Sequence, residues 1–228
     1  MADSQRLRST SEGLRLVSTV AGRLAEDADG ETSVLAVTTY FPADVDSVAR
    51  VFEGLEEIEG IERVEKGPLT IYRIDDGDRF ATEGPEIDDE AFVDEASGFM
   101  RAVGELKRDP DWADRVRKQH ELLRIIAESG ETELDLSYLT SRAGVSRARV
   151  QSLLNDFDAQ GYIGSEVDED VDTVRYQFPA IDYPRQRYDR NMERLEEVEP
   201  PARSRMPIWV VLATVAVVVL LVVMLLRL

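Results

Sequence analysis

The sequence predicts a mainly α fold of the α+β class, with small β-hairpins and one transmembrane helix at its C-terminal end. Three observations predict it. Apolar residues recur at i, i+3, i+4 and i+7 in several stretches, the spacing that lines one face of a helix. Short β-branched runs flank turn residues in two places, as hairpins do. The 19 consecutive residues 208–226 carry no charge.

Residues 112–178 carry the clearest local pattern. Trp112, Val116, Leu122, Leu123, Ile125 and Ile126 mark a first helix, with Asp109-Pro110 as its cap and first turn and Gly130 as its stop. A short second helix follows, with Leu136, Leu139 and Ala143 on its inner face. Gly144-Val145-Ser146 makes a turn, and Ser146 is expected to cap a third helix over 147–160. Val150, Leu153, Leu154 and Phe157 form the buried stripe of that helix. Gly161 ends it, and two strands over 162–167 and 173–178 flank an acidic turn.

The residues that carry a resemblance are Leu136-Ser137-Tyr138-Leu139-Thr140, Ala143-Gly144-Val145-Ser146, and Leu153-Leu154 through Gly161-Tyr162-Ile163. Helix, short helix, tight turn, helix and hairpin in this order resemble a winged helix-turn-helix domain, in which a small residue before a glycine turn lets two helices cross closely. The resemblance covers about 70 residues and is more specific for fold than for function. It implies DNA binding and transcription regulation, with the third helix as the reading element.

Residues 9–80 repeat the layout less distinctly. Leu14, Val17, Val20, Ala21 and Leu24 mark a helix ending near Asp29-Gly30. The stretch 32–40 reads as a short second helix, although its β-branched residues make a strand the alternative. A third helix over 44–58 buries Val48, Val51, Phe52, Leu55 and Ile58. Strands over 60–64 and 69–74 flank Lys66-Gly67-Pro68. The expected organisation is therefore a first winged-helix-like module over 9–80, an acidic linker over 81–110, a second module over 111–179, a juxtamembrane stalk over 180–206 and an anchor over 207–228. The linker should hold an amphipathic helix over 88–107 with Phe92, Phe99, Val103 and Leu106 on one side.

In the anchor, Ile208 and Leu226 bound the uncharged run, and Trp209 stands at its entry, where an indole prefers the headgroup level. At 1.5 Å per residue this run spans about 28 Å, close to the hydrocarbon thickness of a bilayer. Arg203 and Arg205 precede it. Those arginines and the absence of an apolar signal region near Met1 predict a single-pass membrane protein with its bulk in the cytoplasm.

Charge and composition exclude more than they assign. The net charge is −19, and only three of the 27 basic residues are lysines (Lys66, Lys107 and Lys118). Surplus carboxylates with scarce lysine resemble the proteins of salt-accumulating archaea, so the charge is read as solvation in salt rather than as a partner's complement. There is no cysteine, and His120 is the sole histidine, which leaves thiol catalysis, a zinc cage and a Ser-His-Asp triad without parts. The carboxylates Asp88-Asp89-Glu90 sit in an acidic run with no apolar pocket to raise a pKa. No enzyme activity and no cofactor are expected.

At 100° per residue, the third helix of the second module points Ala148, Ser152 and Asn155 outward, with Arg147, Arg149 and Gln151 on the flanks. Ser and Asn can bond base edges, and arginines at the N-terminal end can reach phosphate or guanine. With Arg142 and Ser146 these residues form the expected DNA surface, and Arg115, Arg117 and Lys118 could add backbone contacts. The corresponding face of the first module shows Asp46, Ser47, Arg50, Glu53, Glu56 and Glu57, which phosphate would repel. That module is expected to meet protein, a twin in a homodimer or another partner. The picture that results resembles a haloarchaeal membrane-anchored transcriptional regulator. The alternative is a non-enzymatic scaffold in which tandem winged helices bind proteins at the cytoplasmic membrane face.

Overall fold

In the computed structural model the described residues are 2–56, 60–75, 92, 94–96, 98–99, 111–168 and 173–198. They form a mixed α/β structure with two small antiparallel sheets. The order helix, strand, helix, helix, strand, strand occurs twice. The first copy comprises α1 (Ala2–Asp27), β1 (Glu31–Thr32), α2 (Val34–Thr38), α3 (Val45–Leu55), β2 (Ile61–Lys66) and β3 (Leu69–Ile74). The second comprises α4 (Trp112–Ser129), β4 (Glu133–Asp135), α5 (Leu136–Arg142), α6 (Arg147–Ala159), β5 (Gly164–Asp168) and β6 (Thr173–Gln177). A final helix, α7 (Arg185–Val198), follows. The third strand sits in the middle of each sheet, giving the orders β1-β3-β2 and β4-β6-β5.

Local chemistry explains the boundaries. Asp44 caps α3 by accepting a bond from the Ser47 amide at 2.9 Å, and Asp135 caps α5 by accepting one from the Tyr138 amide at 2.7 Å. Gly130 ends α4 in the left-handed region (φ +68°), where a side chain would be strained. Two expectations change. The stretch 32–40 is neither all helix nor all strand: Thr32 pairs with Tyr72 in the sheet, and Ser33 then caps α2 by accepting a bond from the Ala36 amide at 3.1 Å. Ser146 occupies the capping position of α6 but makes no side-chain capping bond. At α4 the preceding residue is Asp111, which likewise makes no side-chain capping bond, and Asp109-Pro110 lies outside the described residues.

The described residues up to Glu196 fall in the first of two units of the chain. Within the first, buried residues of both copies merge into one apolar cluster. Phe41, Phe52, Phe92, Phe157 and Phe178 are all fully buried in it. Burying each such ring is worth about 2–3 kcal/mol. Phe92 and Phe99, expected on one side of the linker helix, are helical and buried, and Phe92 lies 6.1 Å from Phe41, centroid to centroid. Val103 and Leu106 lie outside the described residues.

Among the described residues, polar bonds join the copies at the start of α3 and between the hairpins. Gln119 on α4 accepts a bond from the Val45 amide at 3.1 Å, and the Trp112 indole donates to Asp44. On the other side, the Thr70 amide donates to the Gly161 carbonyl at 2.7 Å, joining the first hairpin to the start of the second.

The expected stalk over 180–206 is packed where it is described. Tyr183, Arg187, Asn191 and Leu195 are buried, four residues apart, along α7 and its approach. The Asn191 amide donates to the Thr39 carbonyl at 2.8 Å and to the Tyr183 hydroxyl at 3.0 Å. The Arg187 guanidinium lies 3.7 Å from the centre of the Tyr40 ring. Most of this face is polar, which is why the segment reads as a solvated rod until its partners are in view.

His120 stands where these elements meet, and it is fully buried. Its Nε2–H donates to the Ala43 carbonyl at 2.8 Å, since a carbonyl can only accept. Nδ1 therefore accepts from the Tyr183 hydroxyl at 2.6 Å, and that hydroxyl accepts from Asn191. Burial holds the imidazole neutral, with its pKa lowered to about 4.

Candidate nucleic-acid interface

Helix α6 is pinned by Val150, Leu153, Leu154 and Phe157, all buried. That stripe fixes the rotation of the helix, and the opposite face follows. Arg147, Ala148, Arg149, Gln151, Ser152 and Asn155 are all exposed, as are Arg142 and Ser146 just before the helix. The eight residues expected to face DNA from this helix and the turn before it are thus exposed, while Arg115, expected to add a backbone contact, is half-buried on α4.

The charge on this surface is graded along the helix. Arg142, Arg147 and Arg149 cluster at its N-terminal end, where the aligned peptide dipoles add further positive potential. Arg142 stacks 5.2 Å from the centre of the Tyr138 ring. Acid appears only in the later turns, at Asp156 and Asp158, and Asp158 accepts a bond from the Ser165 hydroxyl at 2.8 Å. A polyanion would therefore approach the start of the helix.

The turn before α6 is tight because Ala143 is small and buried, 4% exposed, beneath the crossing of α5 and α6. Gly144 is not required sterically. A Cβ there would meet no atom within 4 Å, and its φ lies outside the left-handed region.

A cavity of about 280 Å³ opens beside this turn. It lies between α4, the 143–145 turn, α6 and Tyr188 of α7. No spacing rule points to it, because its walls come from four separate segments. Arg117 and Lys118 stand in its lining, which places these two predicted backbone-contact residues next to the start of α6.

The corresponding helix of the first copy is arranged differently. Ser47, expected on the outer face of α3, is buried, and its hydroxyl donates to Asp44 at 2.8 Å. Asp46 accepts a bond from Gln160 at 3.3 Å, and the Tyr72 hydroxyl donates to Glu56 at 3.1 Å. Arg50, Glu53 and Glu56 are exposed; Glu57 lies outside the described residues. The N-terminal end of α3 is thus occupied by α4 rather than open to a groove.

Among the described residues, no group of three His, Cys, Asp or Glu side chains is placed to hold a metal ion. No described helix is long and apolar enough to cross a membrane; Ile208, Trp209 and Leu226, predicted to anchor the chain, lie outside the described residues. The acidic hairpin turn also falls largely outside them, with Val167 exposed at its edge. No protein-family model matches the chain, and no curated protein matches it in sequence.

Proposed function

We propose that the chain is a DNA-binding transcriptional regulator that reads DNA with α6 and is anchored in a membrane by residues 208–226. The observation that carries this reading is the start of α6. Three arginines and a row of small polar side chains face solvent there, on a helix whose rotation is fixed by a buried apolar stripe. The element order and the central third strand support a winged helix-turn-helix reading for both copies, and the second presents its helix openly. Arginines would position the helix on phosphate or guanine, while Gln151, Ser152 and Asn155 would meet base edges. One reading helix per chain implies that a two-fold site is bound by a homodimer. The uncharged run and its flanking arginines support a single-pass anchor with the bulk of the chain cytoplasmic.

The test is selection of random duplex DNA by the chain lacking residues 207–228, in molar potassium chloride. An enriched palindrome that disappears with Arg147→Glu plus Arg149→Glu is the expected result. No enrichment, or enrichment indifferent to those charges, would sink the assignment. The second reading is a protein scaffold at the cytoplasmic membrane face. The acid-rich outer face of α3 favours it, because Glu53 and Glu56 suit a basic protein surface and repel phosphate.

A further inference from the structure

We propose that the cavity beside the 143–145 turn is a binding site for a small organic anion with an apolar body. Its floor is apolar: Leu122, Val150 and Leu153 are each at most 5% exposed, and Val145 closes one side. The volume of about 280 Å³ lies just below the ~300–1,000 Å³ typical of drug-sized sites, so the occupant is small.

The polar groups at the mouth specify the sign of its charge. Among the described residues Glu121 is the one acid in the lining, and it is already engaged. Its carboxylate accepts bonds from Arg124 at 2.7 and 3.1 Å and from the Tyr188 hydroxyl at 2.8 Å. Those bonds hold it ionised, below the usual carboxylate range. Arg117 and Lys118 are the cations at the mouth. Lys118 pairs with Asp114, an i,i+4 partner 54% exposed, and surface pairs of this kind hold weakly. An incoming carboxylate can recruit that ammonium at small cost, while the apolar body of the ligand covers the floor. Because the walls include the turn and α6, an occupant would touch the elements that orient the exposed arginines.

The site can be tested without DNA. The full chain in lipid nanodiscs, in about 0.1 M potassium chloride where the Debye length of ~10 Å leaves a contact pair largely unscreened, is titrated with 3-phenylpropionate and separately with its neutral isostere 3-phenylpropanamide, empty nanodiscs correcting for partition. A contact ion pair at ~4 Å is worth about 1 kcal/mol even in water, so the acid should bind about fivefold more tightly than the amide. Arg117→Gln with Lys118→Gln should erase that preference while the amide still binds. Val145→Phe should weaken both ligands by filling the space. Equal affinity for acid and amide, no saturable binding of either, or a preference that survives the double glutamine variant would overturn the proposal. The glutamine variant leaves the floor intact, so it decides the matter even if the filled variant does not fold. Loss of DNA selection with Arg147→Glu and Arg149→Glu is a separate outcome and leaves this site standing.

Discussion

Replacing Gly164 with alanine should separate the two hairpins that the fold holds together. A Cβ at this position would lie 2.3 Å from Pro68 Cγ and 2.6 Å from Pro68 Cβ, far inside the ~3.5–4.0 Å of carbon contact. Pro68 is a rigid ring at the tip of the first hairpin, so rotation of a side chain cannot relieve the clash. Either the β2–β3 turn moves by more than an ångström or β5 does. Overpacking of this kind costs about 1–3 kcal/mol. The nearby bond from the Thr70 amide to the Gly161 carbonyl would stretch, at about 1 kcal/mol more. A total of about 2–4 kcal/mol predicts a fall in melting temperature of roughly 5–12 °C for a chain of this size. Circular dichroism melting of Gly164→Ala, Pro68→Gly and the double variant would measure the coupling directly. Removing the ring should restore at least about 1 kcal/mol to the alanine variant. Gly144→Ala is the control, with open space around its Cβ and an expected change within about 0.5 kcal/mol. If Gly164→Ala melts like wild type, or Pro68→Gly gives no rescue, the two hairpins are not in contact as described.

Other perturbations test the polar bonds between elements. His120 is buried neutral with its pKa lowered to about 4 from an ordinary 6.5, so the unfolded chain binds the extra proton first. Stability from this group is present above pH ~6.5 and is lost as pH falls toward ~4, by about 3 kcal/mol in full. Denaturation across that range should show a steeper pH slope for wild type than for His120→Gln, and parallel slopes would contradict the buried neutral ring. Trp112→Phe keeps the apolar area but removes a donor from the buried Asp44 carboxylate, so urea titration should show a loss of about 1–3 kcal/mol. Asp135→Ala should cost about 1 kcal/mol, because its carboxylate caps α5, whereas Ser146→Ala should cost little, because its hydroxyl caps nothing. Equal losses in thermal melts of those two variants would refute the assignment of the caps.

What the sequence made legible follows from how each element is stabilised. The stripe Val150, Leu153, Leu154 and Phe157 announces α6 because apolar residues at helical spacing seek one face, and the outward residues follow by rotation. β1 and β4 were not legible: two and three residues are too few to show an alternation, and they are strands only because β3 and β6 pair with them. The packed face of α7 was hidden for a different reason. Arg187 and Asn191 are side chains that ordinarily mark solvent, and partners such as Tyr40, Thr39, Asp182 and Tyr183, which no helical spacing announces, make their burial tolerable. Ser47 shows the same effect, with its hydroxyl satisfied by its own cap, Asp44. The cavity has four walls from four segments, so no local pattern could have named it.

These hidden contacts bear on which helix can read DNA. Repulsion by Glu53 and Glu56 was the sequence argument against α3, and salt would weaken that argument, since at 1 M the Debye length is only about 3 Å. The structural objection is independent of salt. The N-terminal end of α3 is the end a reading helix must offer to a groove, and there Asp44 and Val45 are fully buried and bonded to Trp112 and Gln119 of α4. Freeing it would mean breaking those bonds and the His120 contact with Ala43 together, leaving buried donors and acceptors without partners. Among the described residues, helix α6 has no such cover at its own start, where residues 146–149 are exposed. On the proposed DNA-binding reading, an operator should therefore show one half-site per chain, and doubling of the site should track association of two chains rather than the presence of two copies of the fold within one. Sedimentation of the chain with a single half-site and with a full palindrome would show this as one chain and two chains bound; a single chain covering the whole palindrome would mean that α3 reads DNA after all.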